Sequence, residues 1–537
     1  MAPKSTSSMR SKPNPPSHDR QQPRLRGPQT KIIAPDSMTQ QTTQTTAIPP
    51  NISRKRRAKA NEEEIGDNKP RATKKSRAQT ARTPRKPARR PDPRRSPPTT
   101  TPSQLPERLT ILAFGTGDCS ELGLGPAQNA FKTPHVNPYL DPDDPSAFQV
   151  AKFSCGGMHT VALTVDNKIV TWGVNDNGAL GRDTSWDGGM KDVDEDSDED
   201  EELLNPHEST PGQVSLDHFP PGTAFTQVAA GDSCSLALTN TGLVYGWGTF
   251  VDPNGNERFG YDQDSKLIKR QLTPRLVLGL KDITQIACGA NHALALDAAG
   301  SIWAWGSHHQ NQLGKRMFAR HHDGLIPSRV EIFRNKAKYI ASGAYHSFAV
   351  DQKDNVWSWG LNGFGQAGDA SSAGGNEALL PHPVKIPALS GKGVQVLDGG
   401  THHSAAVTAG GQCLMWGRID GGQLGIEFTQ EQMEDSSHVL RDERDKPRIC
   451  LRPTAVSGID PVAHVACSTG HTVYITREGR GYATGFGSGG QLGTGSEDDA
   501  DVPQLVKGKE VGDKRLVLAG AGGQFSIVAA LASRADP

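Results

Sequence analysis

The sequence predicts an all-β protein: a seven-bladed β-propeller closed by its N- and C-terminal strands and preceded by a disordered basic tail. Three observations carry this prediction. A two-part motif recurs seven times from residue 109 onward. The spacing between its two parts is constant, and the first and last copies are complementary halves. Self-similarity at a fixed period is the signature of repeat architectures.

The predicted tail is residues 1–108. It carries 25 Lys and Arg against 8 Asp and Glu, whereas the remaining 429 residues carry 34 and 51. Its Pro-rich, polar composition buries too little apolar surface to offset ordering entropy. Basic clusters of this kind are typical of nuclear import signals and of non-specific contacts to nucleic-acid phosphates. A solvated tail without a partner is the alternative. The tail residues predicted to contact chromatin or DNA are Lys4, Arg54, Lys55, Arg56, Arg57, Lys74 and Lys75.

The predicted propeller is residues 109–533, and each repeat has two halves. The first half reads small residue, Gly, any two residues, then His. The second half reads aromatic residue, Gly, and later Leu-Gly. The residues at the His position are His159, Cys234, His292, His346, His403, His471 and Phe525. The first glycines of the second half are Gly115, Gly173, Gly248, Gly306, Gly360, Gly417 and Gly485.

The spacing turns these halves into blades. From the His position to the next of these glycines is 14 residues in all six complete units. Alternating apolar residues and a turn such as Asp297–Gly300 lie between them, which predicts a β-hairpin. The half-units Leu109–Gly125 and Ala519–Ala530 complete each other as a seventh unit. A unit averages about 61 residues, which suits a four-stranded blade, and a closed ring has no free sheet edges.

The second complete unit departs from the pattern. The distance from the first glycine to the glycine of Leu-Gly is 8 residues in six units, but 12 from Gly248 to Gly260. The added segment contains Asp252-Pro253-Asn254-Gly255, which has strong turn chemistry. We therefore expect a hairpin that projects from one face of the disc, with an idle surface insertion as the alternative.

Two further insertions lengthen loops. Residues 192–202 hold nine acidic residues around Ser197. A solvated loop is the favoured interpretation, and pairing with the basic tail or phosphorylation at Ser197 are alternatives. The charged insertion 428–452 receives no assignment.

Several site classes are not expected. The repeat histidines occur once per blade, whereas metal ligands must converge on one point, so we expect them to hydrogen-bond the backbone between blades. Gly485–Gly490 fits G-x-G-x-x-G but does not open the helix of a βαβ unit. No phosphate-binding loop and no long apolar stretch occurs. We expect no cofactor, no metal and no membrane partner.

Two motifs carry a family resemblance. Cys155–Thr160 and Asn177–Asp183 are similar to motifs of the regulator of chromosome condensation family, nuclear exchange factors for the small GTPase Ran. The resemblance covers about residues 110–530. It implies nucleotide exchange without covalent chemistry, by a β-wedge pressed against the GTPase phosphate-binding loop. The wedge residues would be Phe250, Asp252, Pro253, Asn254 and Gly255. The GTPase-binding residues would be Asp118, Asp232, Asn291, Lys315, Arg316 and His402.

The resemblance also implies partners. These are Ran, chromatin DNA and histones, and an import receptor, for a nuclear, monomeric protein with Arg320 in a histone-contacting loop. Ala2-Pro3-Lys4 resembles the family's α-amino methylation signal. Two departures matter, since the family often has Asp at position 291 and His at Phe525. The alternative functions are a non-catalytic chromatin-bound interaction propeller, or a larger enzyme, for which no residues are left to form a catalytic domain.

Overall fold

The computed structural model describes residues 107–127, 130–187, 203–316, 324–332, 336–375 and 378–532. In these segments, seven antiparallel sheets are arranged as seven blades, six with four strands and one with five. The fold prediction is confirmed for the propeller. Several predicted features lie outside the described residues, namely the acidic insertion 192–202, Arg320, Lys4, Arg54, Lys55, Arg56, Arg57, Lys74 and Lys75.

The two strands nearest the ring centre come from the first half of each repeat. The innermost strands are Val150–Cys155, Phe225–Ala230, Ile283–Cys288, Ala337–Ser342, Val394–Gly399, Val462–Cys467 and Leu516–Ala521. The second strands are His159–Thr164, Cys234–Thr239, His292–Asp297, His346–Asp351, His403–Thr408, His471–Thr476 and Phe525–Leu531. In this order they belong to blades 1 to 7.

The second half of each repeat supplies the outer part of the blade. The third strands of blades 1 to 7 are Ile169–Gly173, Val244–Gly248, Ile302–Gly306, Val356–Leu361, Cys413–Arg418, Gly481–Gly485 and Leu109–Thr116. The fourth strands are Gly212–Gln213, Gln271–Leu276, Ser328–Val330, Leu379–Lys385, Pro447–Ala455, Ala500–Leu505 and Ala130–Val136. Blade 5 adds a fifth strand, Val439–Arg441, from the unassigned insertion 428–452.

The ring closes as the sequence predicts. Each innermost strand contacts the innermost strand of the next blade, and contacts between Leu516–Ala521 and Val150–Cys155 complete the circle. In blade 7, the N-terminal strand Leu109–Thr116 pairs with the C-terminal strand Phe525–Leu531 along its length. This pairing leaves the ring without a free edge at the closing junction.

The 14-residue spacing has a direct structural cause. In every blade the His-position residue pairs across the sheet with the glycine of the aromatic-Gly motif, as in His292 opposite Gly306. Gly306 has a φ of +113°, and a Cβ atom there would lie 2.8 Å from the Cα of His292. Only glycine tolerates both conditions, so the strand pairing fixes the residue type as well as the distance.

The apolar core lies mainly between blades rather than within one continuous centre. One cluster joins Ile527 of blade 7 to Ala162 and Trp172 of blade 1. Another joins Leu236 of blade 2 to Trp305 of blade 3. Because each blade buries its faces against its neighbours, the interfaces between blades contribute much of the stability of the ring.

A polar relay also joins neighbouring blades. In five of the seven junctions, the repeat-histidine Nε2 bonds the hydroxyl that follows the His position of the next blade. That hydroxyl in turn donates to a backbone carbonyl of the first blade's Leu-Gly or Ala-Gly turn. The expectation of a backbone partner for the imidazoles is therefore wrong, since a side-chain hydroxyl accepts instead. The pairs are His159–Ser235, His292–Ser347, His346–Ser404, His403–Thr472 and His471–Ser526, at 2.7–2.8 Å.

Two junctions carry different residues. Between blades 2 and 3, Cys234 and Ala293 stand where the relay needs a histidine and a hydroxyl. Between blades 7 and 1, the buried ring of Phe525 replaces the imidazole and packs over Gly522. These two junctions lack the relay, although other hydrogen bonds cross them: Gln227 bonds the backbone of Ile286 between blades 2 and 3, and the Gly523 N–H bonds the Gly157 carbonyl between blades 7 and 1.

The remaining elements lie in connections between strands. In the described segments they are two short α-helices, two 3-10 helices and two small hairpins that leave blade 2. Among the described residues, no helix has the length and apolar content to cross a membrane. The helices are Pro206–Ser209 and Gln430–Glu434 (α) and Pro138–Leu140 and Leu216–His218 (3-10). The hairpin strands are Phe250–Val251 with Glu257–Arg258, and Gly260–Tyr261 with Leu267–Ile268.

Candidate functional site

The residues and the insertion that differ from the repeat pattern lie on one face of the disc. The second strands begin at this face and the third strands end at it, because the His position pairs with the aromatic-Gly glycine there. We call it the wedge face, after the hairpin that leaves it. The residues that precede the His position ring this face, and they differ from blade to blade. They are Met158, Ser233, Asn291, Tyr345, His402, Gly470 and Gln524.

The predicted hairpin, here called the wedge, is present in blade 2. Phe250–Val251 pairs antiparallel with Glu257–Arg258, and the tip between them is exposed at Pro253, Asn254 and Gly255. The Asp252 carboxylate closes the tip by accepting the backbone N–H groups of Asn254 and Asn256, at 2.9 and 3.0 Å. Partial burial opposes ionisation of Asp252, but the hydrogen bonds from Asn256 outweigh it and lower its pKa. The tip is therefore a rigid, ionised Asx turn.

The wedge is rooted in an apolar seat. The Phe250 side chain is 2% exposed and belongs to the cluster between blades 2 and 3. Its ring stacks on Phe259 with centroids 6.2 Å apart and faces Gly306, where a Cβ atom would lie 3.2 Å from it. Phe250 is thus an anchor, whereas the exposed residues at 253–255 are the ones that can touch a partner.

A second hairpin follows that the spacing did not predict. Gly260–Tyr261 pairs with Leu267–Ile268, and Asp262 caps its turn. The sequence comparison equated Gly260 with the glycine of Leu-Gly in the other units. That equivalence is wrong, because Gly314 and its counterparts adopt positive φ and lie in close contact with neighbouring side chains, while nothing lies near Gly260. The inserted structure therefore extends from about residue 249 to 270.

Asn291 lies at the base of the wedge. Its Oδ1 atom accepts the backbone N–H of Val251 at 2.7 Å. A carboxylate oxygen at this position would accept the same bond, so the departure from Asp to Asn keeps the contact. Asn291 therefore holds the wedge to blade 3.

Asp118 and Asp232 line the same cleft. Both are exposed and line one open cleft of about 1000 Å³ on the wedge face, between blades 7, 1 and 2. Its wall also includes Asp176, Glu208 and Met158. Sequence reasoning missed Asp176 and Glu208. Asp176 follows an aromatic-Gly glycine by three residues, which was an available signal, whereas nothing local marks Glu208.

The cleft concentrates negative charge. Desolvation raises the pKa of Asp232 to about 6, and desolvation is likewise the largest cause that raises the pKa of Glu208. Asp232 is open to solvent on one side of the cleft, and the protein around its concave wall removes part of the hydration of its carboxyl group. The cleft therefore favours a partner that presents Lys or Arg side chains.

His402 lies apart from this cleft. Its ring packs edge-on against Phe364, with centroids 4.6 Å apart, and the guanidinium of Arg418 lies over the same Phe364 ring. Desolvation, and next the charge of Arg418, lowers the pKa of His402 to about 4. His402 is thus neutral at physiological pH and presents an aromatic surface rather than a charge.

Lys315 and Arg316 occupy the connection after the third strand of blade 3. Lys315 is half-buried, which lowers its pKa by desolvation, and Arg316 is exposed. Neither residue lines the cleft that contains Asp118 and Asp232. Of the six predicted GTPase-binding residues, the structure joins only these two aspartates in one cavity.

No metal centre is found in the segments that the structure describes, where no three His, Cys, Asp or Glu side chains are grouped to hold an ion. His308 and His309 stack on each other, with centroids 4.7 Å apart, beside the wedge. They share a small cavity with Phe250 and Asp252. The arrangement offers binding surfaces and a projecting hairpin.

Comparisons with known proteins agree with this architecture. The family model for the RCC1-like domain matches residues 110–528. The guanine nucleotide exchange factor SRM1 of Saccharomyces cerevisiae is 37% identical over 430 residues, which is 78% of this chain and 86% of SRM1.

Two solved structures are similar throughout the propeller. Prp20p from Saccharomyces cerevisiae, studied for its binding properties to Gsp1p and histones, is 35% identical with a TM-score of 0.70, over 80% of this chain and 93% of its own. Yeast RCC1 (Prp20) bound by Kap60 is 35% identical with a TM-score of 0.71, over 80% and 90%. A repeat with this spacing, a seven-bladed ring and similarity of this extent lead to one conclusion: the chain belongs to the family of RCC1-like domain proteins, the regulators of chromosome condensation.

Proposed function

We propose that this protein is a guanine nucleotide exchange factor for a Ran-type nuclear GTPase and that its wedge is the exchange element. The single observation that carries the proposal is the wedge: a hairpin with an exposed tip at Pro253–Gly255, closed by an Asx turn, on an otherwise regular ring. Membership of the family and the exchange activity named for SRM1 support it.

The mechanism is one of differential binding. A GTPase holds its nucleotide through a phosphate-binding loop and Mg²⁺. An exchange factor binds the nucleotide-free GTPase more tightly than the nucleotide-loaded GTPase. By linkage, the ratio of these two affinities equals the ratio by which the bound exchange factor lowers the affinity of the GTPase for its nucleotide. The acidic cleft with Asp118 and Asp232 would dock a basic surface of the GTPase. The wedge tip would then press on the phosphate-binding loop and disfavour the nucleotide-bound geometry.

The rigidity of the wedge is essential to this scheme. Exchange requires that the binding energy of the interface distort the phosphate-binding loop of the GTPase. A flexible hairpin would move aside and leave that loop in place. Burial of Phe250, the bond from Val251 to Asn291 and the Asx turn at Asp252 all restrict its motion. The proposal needs no covalent step, no cofactor and no metal of the protein's own.

The placement of the chain ends suits a tethered factor. The strand Leu109–Thr116 starts at the opposite face and ends at the wedge face, and Ala532 N–H bonds the carbonyl of Arg108 at 2.9 Å. Both ends of the propeller thus emerge away from the GTPase surface. The basic residues 1–108 could engage chromatin and an import receptor while the wedge face works. Prp20p has been studied for binding to histones, and Kap60 binds yeast RCC1. We extend these partners, a nuclear location and a monomeric state to this chain.

Release of fluorescent GDP from purified Ran, with a trace of the full-length protein, tests the proposal. The intact protein should accelerate release catalytically, and deletion of Asp252–Gly255 should abolish acceleration. A matched control deletes Asp442–Asp445, an Asx turn of the same hydrogen-bond pattern on blade 5. This control should retain full activity.

The result also separates the alternatives. If the intact protein does not accelerate release although Ran binds nucleotide normally, the exchange function is refuted. The non-catalytic, chromatin-bound interaction propeller then becomes the better interpretation. If both deletions lose activity equally, the wedge has no special role and the loss reflects folding.

A further inference from the structure

Arg270 connects the wedge to the acidic cleft. It lies between the second hairpin and the outer strand of blade 2. Its Nε atom donates to Glu257 Oε2 at 2.6 Å, and its Nη2 atom donates to the other carboxylate oxygen of Glu257. Its Nη1 atom donates to the backbone carbonyl of Asp176 at 2.6 Å. One guanidinium therefore bridges the wedge and the wall of the cleft.

Each end of this bridge belongs to a functional element. Glu257 is on the return strand of the wedge, where it pairs with Val251. Asp176 lies in the blade 1 loop that lines the cleft together with Asp118 and Asp232. The Glu257 side chain is 24% exposed and that of Arg270 is 44% exposed. The bridge is thus partly shielded, and its two-point geometry is the planar fork that only arginine provides.

The wedge has a second support on the opposite side. Asn291 of blade 3 accepts the N–H of Val251, on the leading strand. Arg270 holds the return strand toward blade 1. Since each strand of the hairpin is only two residues long, its own two-rung ladder cannot fix its tilt, and contacts to both neighbouring blades must do so.

We propose that Arg270 is a positioning residue that sets the tilt of the wedge relative to the cleft where the GTPase docks. This inference rests on the proposed exchange function. It assigns Arg270 no contact with the partner and no part in holding the fold of the ring. Docking through the cleft and displacement by the wedge are coupled through Glu257, Arg270 and the Asp176 carbonyl.

The test measures exchange kinetics for Arg270→Ala, Glu257→Ala, the double variant and Arg270→Lys. Loss of a charge-assisted bidentate contact should reduce kcat about tenfold, while KM stays within about twofold because the cleft is unchanged. The double variant should equal either single variant, since all remove one bridge. Arg270→Lys should not restore kcat, because a lysine cannot bond Glu257 and the Asp176 carbonyl in the same fork geometry.

The control is Arg480→Ala, which removes exposed ion pairs with Asp460 and Glu478 on blade 6 and should leave both constants unchanged. A second readout is hydrogen exchange of the free protein, in which the amides of residues 250–258 should exchange faster in Arg270→Ala than in wild type. Amides of the blade strands should keep wild-type rates.

Four results would overturn the inference. An Arg270→Ala protein with wild-type kcat refutes the positioning role. A rise in KM for Arg270→Ala with no effect of Glu257→Ala shows direct contact with the partner instead. Uniformly faster hydrogen exchange shows a structural role. If the wild-type protein itself fails to release GDP, the proposed function is refuted and the positioning role falls with it.

Discussion

Replacement of Ser347 by Ala should show that the interblade relay is a main source of stability. Ser347 is fully buried, and its Oγ atom lies 2.8 Å from His292 Nε2 and 3.1 Å from the carbonyl oxygen of Gln312. Because the hydroxyl donates its only hydrogen to the carbonyl, it must accept from Nε2, which fixes the imidazole tautomer. Alanine at this position leaves the buried Nε2–H group of His292 without an acceptor.

The size of the effect follows from that orphaned donor. Leaving a buried polar group unpaired costs about 1–3 kcal/mol, and one lost hydrogen bond about 1 kcal/mol. We therefore expect Ser347→Ala to lower the free energy of unfolding by about 2–3 kcal/mol. The carbonyl of Gln312 keeps a donor, since Trp359 Nε1 also bonds it at 2.8 Å.

Denaturant unfolding followed by tryptophan fluorescence measures this change, with Ser358→Ala as the matched control. Ser358 is equally buried on the same blade, but its hydroxyl donates to the carbonyl of Ala367 and is not given an imidazole N–H. The control should lose about 1 kcal/mol. In addition, His292→Phe should reduce the cost of Ser347→Ala, because it removes the donor. Equal losses for the two serine variants, or strict additivity with His292→Phe, would refute the relay argument.

Three other predictions concern pH and the wedge. Desolvation lowers the pKa of His292 to about 3 and that of His471 to about 4, below the unfolded value of 6.5. The unfolded chain then binds protons first, so stability is complete above pH 6.5 and falls as pH drops toward 4; His292→Phe should flatten the curve of melting temperature against pH. Since the pKa of Asp232 is raised to about 6, its charge appears as pH rises through 6. KM for the GTPase should fall over that interval, and Asp232→Asn should abolish the change, whereas a retained pH dependence would assign it to another group. Phe250→Ala removes the buried anchor of the wedge, so kcat should fall at least about tenfold, and the melting temperature should drop because such a truncation costs about 3 kcal/mol; wild-type kcat in this variant would show that the anchor is dispensable.

The repetitive part of the fold could be predicted from sequence because its determinants are local. The 14-residue spacing corresponds to a cross-strand pair between the His position and the aromatic-Gly glycine, such as His292 and Gly306. The positive φ of Gly306 explains why glycine occupies this position in every repeat. Seven such pairs give the blade number and the closure by the terminal strands. The expectation of backbone partners for the imidazoles was wrong in kind, because the partner across the junction is a side-chain hydroxyl such as that of Ser347. Only the assembled ring brings it to His292.

The candidate site was predictable only in part, for the same physical reason. The turn-forming residues at Asp252–Gly255 predicted a hairpin, and the structure contains it. The second hairpin at 260–268 was missed because the length of the insertion was counted from Gly248 to Gly260. That count took Gly260 as the equivalent of the glycine of Leu-Gly in the other blades, which it is not. Arg270 was missed because its contact with the Asp176 carbonyl spans 94 residues of sequence and three structural elements. Charge clusters of this kind become visible only when blades 1 and 2 are adjacent.

The wedge and the loss of the relay occur at the same junction, and one explains the other. In blades 1 and 3, the carbonyl that accepts the relay hydroxyl comes from Ala179 or Gln312, just before the Leu-Gly turn. In blade 2 the corresponding turn has been rebuilt as the return strand of the wedge and a second hairpin. A hydroxyl at position 293 would find no turn carbonyl to accept its hydrogen. Without that hydroxyl, the imidazole of a histidine at position 234 would in turn lack its hydrogen-bond partner. Alanine and cysteine at these positions avoid two buried, unsatisfied polar groups. Apolar packing that includes Phe250 joins blades 2 and 3, together with the hydrogen bonds of Gln227 to the backbone of Ile286, so the side chain that anchors the functional hairpin also contributes to this junction.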